Sequence, residues 1–178
     1  MDEIYKLRKH IYTFITEEML HLSNKKVIEF GPATPSTFPV SNLYINIKEK
    51  LIENSCNYLS CDINPDLNPD IVSDLVNSLD LIDETFDVII ALEVLEHTAE
   101  FWKAPKIFNT LLNPKGLLFI STPYFFTIHD PKPDYWRFTK EGLEYLFSPY
   151  FDLEISTMNS DGYDSNHPLH YCLKGEKK

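Results

Sequence analysis

The chain has 178 residues, of which 43% are hydrophobic and 24% are charged, and its formal net charge is -11. This composition predicts one globular domain over residues 1–178 and excludes a disordered chain. The acidic charge disfavours a nucleic-acid-binding surface, because such surfaces depend on clustered Lys and Arg.

The number of cysteines and the hydropathy of the chain indicate its cellular compartment. The three cysteines are too few and too irregularly spaced for a disulfide framework, which indicates a reducing compartment. The charged N-terminal stretch lacks the apolar core of a signal peptide, and no run is long enough to span a bilayer. We therefore expect a cytoplasmic protein with no membrane partner.

Residues 1–24 predict an amphipathic helix that covers a sheet, with Asn24 as a left-handed cap at its end. Residues 26–30 then predict a short buried strand, which Gly31 and Pro32 terminate. The segment from residue 42 to residue 51 is compatible with either helix or strand.

Three further strands each lead into acidic residues. Residues 58–61 precede Asp62, and residues 70–73 precede Asp74. Residues 86–91 have no polar alternation, as in a strand covered on both faces, and lead to Glu93, Glu96 and His97. Because ligands bind beyond the carboxyl ends of parallel strands, these side chains are candidates for a site.

The last part of the chain continues the alternation of strands and helices. Residues 100–112 predict a helix in which Pro105 is either a kink or a late first turn, and residues 113–116 predict a turn before a strand over residues 117–121. Thr139 can N-cap a helix that runs to Leu146, and two final strands follow over residues 151–155 and 169–173. The pattern predicts an α/β fold with a doubly wound, mostly parallel sheet and an antiparallel edge.

Six short motifs occur in an order and spacing that resemble the class I S-adenosylmethionine-dependent methyltransferases, and among them the type 11 methyltransferase-domain family. They are Val27-Ile-Glu-Phe-Gly31, Asp62, Asp74-Leu75, Phe86-Asp-Val-Ile-Ile90, Leu95-Glu-His97 and Leu112-Asn-Pro-Lys-Gly116. The resemblance covers most of residues 26–123. It implies a seven-stranded Rossmann-like methyltransferase sheet with S-adenosylmethionine as cofactor.

The resemblance also assigns roles at the strand ends. It implies that Glu29 and Gly31 adjoin the methionine part of the cofactor, that Asp62 accepts from both ribose hydroxyls, and that Asp74 accepts from the adenine amino group. The predicted cofactor-binding residues are Glu29, Gly31, Pro32, Asp62, Ile63, Asp74, Leu75, Leu92 and Glu93.

The first loop departs from the family pattern. Where the family carries several glycines, this chain has Gly31-Pro-Ala-Thr-Pro35, and proline restricts the backbone that should contact the cofactor. We expect a working variant loop. The alternative is a non-catalytic binding or partner subunit that keeps the fold. A nucleotide-dependent oxidoreductase is a third hypothesis, which the absence of a Gly-x-Gly-x-x-Gly turn disfavours.

Residues 121–139 form the second distinctive segment, expected to be a substrate-side loop. It is similar to a His, Pro, Asp-Tyr-Trp-Arg-Phe-Thr segment of methyltransferase domains from bacterial glycan and surface-polysaccharide loci. This similarity implies a small sugar- or phosphate-bearing acceptor, because aromatic rings stack on sugars and a guanidinium binds phosphate. The predicted substrate-binding residues are Tyr124, Asp130, Tyr135, Trp136 and Arg137.

Loss of a proton from a hydroxyl acceptor would need a general base. His129, with Asp130 beside it, is the first candidate and His97 the second. Structural alternatives remain open: His97 braces its loop, the aromatic residues form a hydrophobic lid, and Arg137 pairs with a carboxylate. His129, Asp130 and Asp134 show no regular ligand spacing, so we expect no metal site. Part of the pocket is expected to come from a second copy of the chain or from a partner protein.

Overall fold

The structure is a computed structural model of the chain, and it describes residues 3–19, 21–32, 47–159 and 167–178. The α-helices are α1 (Glu3–Met19), α2 (Ile47–Glu53), α3 (Ala104–Leu111) and α4 (Lys140–Phe147). The strands are β1 (Lys26–Phe30), β2 (Asn57–Asp62), β3 (Ile71–Val72), β4 (Phe86–Leu92), β5 (Leu112–Pro123), β6 (Phe151–Asn159) and β7 (Pro168–Lys177). Short 3-10 turns lie at Pro65–Leu67, Leu75–Asp80, Leu95–His97 and Phe101–Lys103.

The strands form one seven-stranded sheet in the order β3-β2-β1-β4-β5-β7-β6. Strands β1 to β5 pair in parallel, whereas β7 runs antiparallel to both β5 and β6. The predicted fold class, a mostly parallel doubly wound sheet with antiparallel pairing at one edge, is confirmed. The carboxyl ends of β1, β2, β3, β4 and β5 therefore meet at one edge of the sheet.

Both faces of the sheet are covered, which explains the uninterrupted apolar runs. One buried cluster joins α1 and α2 to alternate strand residues, among them Val88 and Ile90 of β4. The other cluster joins α3 and α4 to the intervening residues, among them Ile89 and Ala91. Because side chains alternate between faces, every position of β4 from Val88 to Ala91 is buried and must be apolar.

The N-terminal helix ends earlier than the sequence predicts. Helix α1 stops at Met19, so Asn24 does not cap it. Asn24 does adopt the predicted left-handed conformation, with φ of 53°, and its N–H donates to the carbonyl of Asn54 at 3.3 Å. Its role is therefore to turn the chain into β1. Among the described residues, no helix combines the length and the apolar character needed to cross a bilayer.

Two open points are resolved. The C-terminal part of the ambiguous segment is helical, because α2 begins at Ile47, whereas residues 42–46 lie outside the described residues. Pro105 lies in the first turn of α3, so it is a late first turn and does not kink the helix.

Residues 113–116 are not a turn before a strand, as the sequence predicts, but belong to β5. The pairing of β4 with β5 shifts register there, and Lys115 has φ of 63°. Asn113 Nδ2 donates to Oδ1 of Asp87 at 2.9 Å, and the N–H of Lys26 donates to Oδ2 of the same residue at 2.9 Å. Asp87 thus joins three strands, and across this irregularity β5 advances five residues while β4 advances two.

Candidate active site

Gly31 follows β1 in a conformation that requires glycine. Its φ is +62°, and its N–H donates to the carbonyl of Cys61 at 2.9 Å. A Cβ atom at this position would lie 2.7 Å from Cγ2 of Val94, in the segment after β4. The backbone of the first loop therefore lies directly against the end of β4. Pro32 is half-buried, and residues 33–46 of this loop lie outside the described residues.

Glu29 occupies the last part of β1 and is 3% exposed. The hydroxyl of Tyr58 on the neighbouring strand donates to its Oε2 atom at 2.6 Å. A buried carboxylate held in this way is fixed in position beside Gly31.

Asp62 lies at the end of β2. Its Oδ1 atom accepts from the N–H of Asn64 at 2.7 Å, and its carbonyl accepts from the N–H of Ser73 at 2.9 Å. Partial burial raises the pKa of this carboxyl group above its ordinary value. Ile63 is 67% exposed, so an apolar side chain faces solvent beside the carboxylate.

Asp74 follows β3 and begins the 3-10 turn Leu75–Asp80. Its Oδ1 atom accepts from the N–H of Val76 at 3.2 Å, so the predicted turn-forming role is present. Leu75 is buried in the core. Asp62 and Asp74 thus lie at the ends of paired strands β2 and β3.

The chain turns sharply after β4. Glu93 has φ of 56°, and its N–H donates to the carbonyl of Ser121 at 3.0 Å and to the Oγ atom at 3.1 Å. A non-glycine residue in this conformation stores about 1–3 kcal/mol of strain and is typical of functional sites. Leu92, the last residue of β4, packs against the α1 side of the sheet.

Hydrogen bonds to backbone carbonyls hold the predicted substrate-side loop against the segment after β4. The N–H of Tyr135 donates to the carbonyl of Glu96 at 2.7 Å, and the indole N–H of Trp136 donates to the carbonyl of Thr98 at 3.1 Å. His97 Nδ1 lies 3.0 Å from the carbonyl oxygen of Pro133. These contacts bring together residues that are about thirty to forty positions apart in the sequence.

The two candidate bases lie side by side as a result. The rings of His97 and His129 have centroids 5.2 Å apart at an interplanar angle of 74°. Burial is the largest cause of the lowered pKa of His97, although its hydrogen bond to Pro133 opposes that effect.

His129 takes its carboxylate partner from Asp134. The structure corrects the expectation that Asp130 serves this purpose, because Asp130 is exposed, whereas Oδ2 of Asp134 lies 3.1 Å from His129 Nδ1. The same oxygen accepts from the N–H of His129 at 3.0 Å. Asp134 lies five positions after His129 in the sequence, and the loop folds back so that the two side chains meet.

Arg137 pairs with Asp134, as the structural alternative predicted. Its Nη1 and Nη2 atoms donate to the two carboxylate oxygens, the second at 2.7 Å. The Nη atoms also donate to the carbonyls of Trp136 at 2.8 Å and Thr127 at 3.1 Å. The hydrogen bond from Arg137 lowers the pKa of Asp134 to about 2, so this carboxylate is ionised at neutral pH.

Glu96 is a site residue to which sequence reasoning assigned no role. Its side chain is fully buried, and neither carboxyl oxygen has a hydrogen-bond partner among the described residues. Burial, followed by the charge of Glu93, raises the pKa of Glu96 well above its ordinary value. The sequence marks Glu96 as a site candidate by its place after β4 but gives it no specific role.

The remaining predicted substrate residues are aromatic. Tyr135 is 49% exposed and Trp136 is 37% exposed, with Trp136 resting edge-on against Phe101 at 5.1 Å between ring centroids. Tyr124 is half-buried and packs against Tyr171 at 6.0 Å. Tyr135 and Trp136 therefore present ring surface to solvent, whereas Tyr124 is partly covered by β7.

Comparisons with known proteins identify the family. Residues 5–152 match the family described as a methyltransferase domain. No curated protein matches the chain in sequence.

Solved structures share the fold at low identity. The N-methyltransferase NodS from Bradyrhizobium japonicum WM9 is 14% identical, with 97% of each chain covered and a TM-score of 0.66. NodS in complex with S-adenosyl-L-homocysteine is 16% identical, with 99% of each chain covered and a TM-score of 0.61. An S-adenosylmethionine-dependent methyltransferase from Clostridium acetobutylicum ATCC 824 is 11% identical, covers 95% of this chain and 91% of its own, and has a TM-score of 0.68.

The family match covers more than half of the chain, and the sheet order and strand directions agree with it. The chain belongs to the methyltransferase-domain family and is an S-adenosylmethionine-dependent methyltransferase.

Proposed function

We propose that this protein transfers the methyl group of S-adenosylmethionine to a hydroxyl group of a small, sugar-bearing acceptor. The observation that carries the proposal is the convergence of acidic strand ends around Gly31, next to a second cluster formed by the substrate-side loop. A surface-polysaccharide precursor is the class of acceptor that the similarity of residues 121–139 favours.

In this proposal the cofactor binds along the carboxyl ends of β1, β2, β3 and β4. Glu29 and Gly31, with Pro32 beside them, receive the methionine part, where the glycine backbone permits close approach. Asp62 and Ile63 receive the ribose. The adenine lies against Asp74 and Leu75, and Leu92 and Glu93 line the path toward the sulfonium.

The acceptor half favours a sugar over a phosphate. Both terminal nitrogens of Arg137 already donate to Asp134 and to backbone carbonyls, so this guanidinium stiffens the loop. Tyr135 and Trp136 keep exposed ring faces, which stack well on the apolar faces of sugars. Asp130 is exposed and can accept from sugar hydroxyls.

Methyl transfer from a sulfonium is an in-line displacement. The acceptor oxygen forms a bond to the methyl carbon while the carbon–sulfur bond breaks, and the electron pair stays on sulfur. Alignment supplies most of the rate, on the order of 7–11 kcal/mol in favourable cases. His129, oriented by Asp134, is the first residue proposed to assist loss of the hydroxyl proton, and His97 is the second.

Calorimetry with S-adenosylmethionine and S-adenosylhomocysteine tests the cofactor half. We expect both to bind, and Asp62→Asn to weaken binding about 10- to 100-fold because charge-assisted hydrogen bonds to the ribose are lost. Asp66→Asn is the matched control, since Asp66 is an exposed acid in the same loop. If neither compound binds at millimolar concentration, the partner-subunit alternative is correct.

A panel of nucleotide sugars with radiolabelled S-adenosylmethionine tests the acceptor half. With an accepted sugar, we expect His129→Ala to lower turnover by about 100-fold or more and to leave S-adenosylhomocysteine binding unchanged. Full turnover in this variant would remove His129 from the mechanism. Light scattering on the same sample measures whether the chain forms the oligomer that a shared pocket requires.

A further inference from the structure

Three side chains beside the proposed acceptor site have the composition of a metal centre. The Oε1 atom of Glu96 lies 3.8 Å from Nε2 of His97 and 4.0 Å from Nε2 of His129. The potential ligand atoms of the three residues all lie within 4.8 Å of one another. Two imidazole nitrogens and one carboxylate oxygen are a ligand set that binds divalent transition ions in open, reactive sites.

Glu96 is the member of this cluster to which a metal ion would supply a partner. Its side chain is 0% exposed, and neither carboxyl oxygen has a hydrogen-bond partner within the described part of the chain. Arg137 donates to Asp134 instead. A buried carboxylate is stable when it is paired with a cation or coordinates a metal, and the two imidazoles are the ligands that face it.

Both histidine rings are held with Nε2 toward Glu96. His97 Nδ1 lies 3.0 Å from the carbonyl oxygen of Pro133, which only accepts hydrogen bonds. His129 Nδ1 lies 3.1 Å from Oδ2 of Asp134 and 3.3 Å from the carbonyl oxygen of Thr127. The proton of each neutral ring is therefore on Nδ1, and each Nε2 presents a lone pair. This arrangement of carboxylate or carbonyl, imidazole and metal is typical of metal-binding histidines.

We propose that Glu96, His97 and His129 bind one divalent first-row transition ion, with Mn²⁺, Co²⁺ and Zn²⁺ as the candidates. A tetrahedral ion with bonds of about 2.0–2.2 Å holds neighbouring ligand atoms roughly 3.4 Å apart. The two distances from Glu96 to the imidazoles need to shorten by about half an ångström, and the distance between the two imidazole nitrogens by at most about 1.4 Å. This replaces the expectation from the sequence that no metal site is present, which considered His129 with Asp130 and Asp134. In the structure Asp134 instead orients His129, and Glu96 provides the carboxylate.

The role that we assign to this ion in catalysis rests on the proposed methyl transfer. An acceptor hydroxyl at an open coordination position loses its proton to water more readily, because the ion stabilises the alkoxide. That oxygen then bonds to the methyl carbon, and the sulfur leaves with the electron pair of the carbon–sulfur bond. In this arrangement His97 and His129 are ligands of the ion, and the ion replaces the general-base role that the proposed function gives them.

The test uses the full chain, stripped with EDTA, dialysed and titrated calorimetrically with MnCl₂. We expect one ion per chain, with binding weakened at least tenfold in Glu96→Gln and in His129→Gln. His21→Gln is the matched control and should bind as the parent does, since His21 is exposed and outside the cluster. No saturable binding up to millimolar Mn²⁺, or unchanged affinity in both cluster variants, overturns the inference.

Cobalt absorption and cofactor binding complete the test. The described residues hold a second group with ligand potential, His10, His170 and Cys172. Visible cobalt bands without a thiolate charge-transfer band support the Glu96 site, and an intense thiolate band overturns it. Each variant is also titrated with S-adenosylhomocysteine: retained binding shows that the variant is folded and that the loss of metal is local. Metal binding without cofactor binding refutes the proposed function alone, whereas cofactor binding without metal binding refutes this inference alone.

Discussion

Gly31→Ala is the substitution whose cost follows most directly from the geometry of the cofactor side. An L-residue at φ of +62° costs about 1–2 kcal/mol relative to glycine. The new Cβ would lie 2.7 Å from Cγ2 of Val94, closer than side chains tolerate, so Val94 must leave its rotamer or the loop must shift. That adds about 0.5–1.5 kcal/mol, and we expect a total loss of about 1.5–3.5 kcal/mol in the free energy of unfolding.

Urea unfolding of a double-mutant cycle separates the two contributions. In a Val94→Ala background the contact is removed, so Gly31→Ala should cost only the backbone part, about 1–2 kcal/mol. Gly142→Ala is the matched control. Its Cβ would meet Thr139 Oγ1 at an ordinary 3.4 Å inside α4, so it should stabilise by up to about 1 kcal/mol. An equal cost of Gly31→Ala in both backgrounds would refute the Val94 contact, and no cost at all would refute the left-handed conformation.

Three further predictions concern stability and are measured by urea or thermal unfolding. Thr139→Ala removes the cap whose Oγ1 accepts from the N–H of Gly142 at 3.1 Å, and should cost about 1 kcal/mol, whereas Thr139→Ser should cost little. Lys177 Nζ donates to the carbonyls of Asn109 and Leu112, at the end of α3, at 2.6 and 2.7 Å. Lys177→Met removes both hydrogen bonds and should lower the free energy of unfolding by about 1–3 kcal/mol, and no change would contradict these contacts. Burial lowers the pKa of His170 from 6.5 to about 3, so the unfolded chain binds a proton between these values that the folded chain does not. Stability should therefore fall as pH drops below about 6.5, and His170→Gln should flatten that slope; an unchanged slope would contradict the burial of a neutral ring.

The sheet could be predicted because its determinants are local. Residues 86–91 are apolar without alternation since both faces of β4 are covered, and the acids that follow β2 and β3 mark where those strands end. Each boundary depends on residues within a few positions of it. The exception at residues 113–116 involves a nonlocal contact, because Asn113 hydrogen-bonds there to Asp87 of β4.

The acceptor side could be predicted only in part. The sequence identifies His97 and His129, but it gives His129 the wrong partner and leaves Glu96 without a role. Asp130 is the neighbour of His129 in the sequence, but the fold of the loop places the carboxylate of Asp134 against the His129 ring. The hydrogen bonds of Tyr135, Trp136 and His97 between the loop and the segment after β4 end on backbone carbonyls, which every residue carries, so the side-chain pattern does not identify the partners of these residues.

One short turn connects the two halves of the site. Val94 contacts the position of Gly31 with its side chain, while its carbonyl accepts from the N–H of His97 at 3.1 Å and from Oγ1 of Thr98 at 3.0 Å. If Val94 accommodates a bulkier residue at position 31 by a shift of its backbone, the backbone that positions His97 moves with it. Because both halves depend on this turn, cofactor seating and acceptor alignment are mechanically coupled. Gly31→Ala should then lower methyl transfer more than its loss of cofactor affinity explains, and Val94→Ala should recover part of that excess.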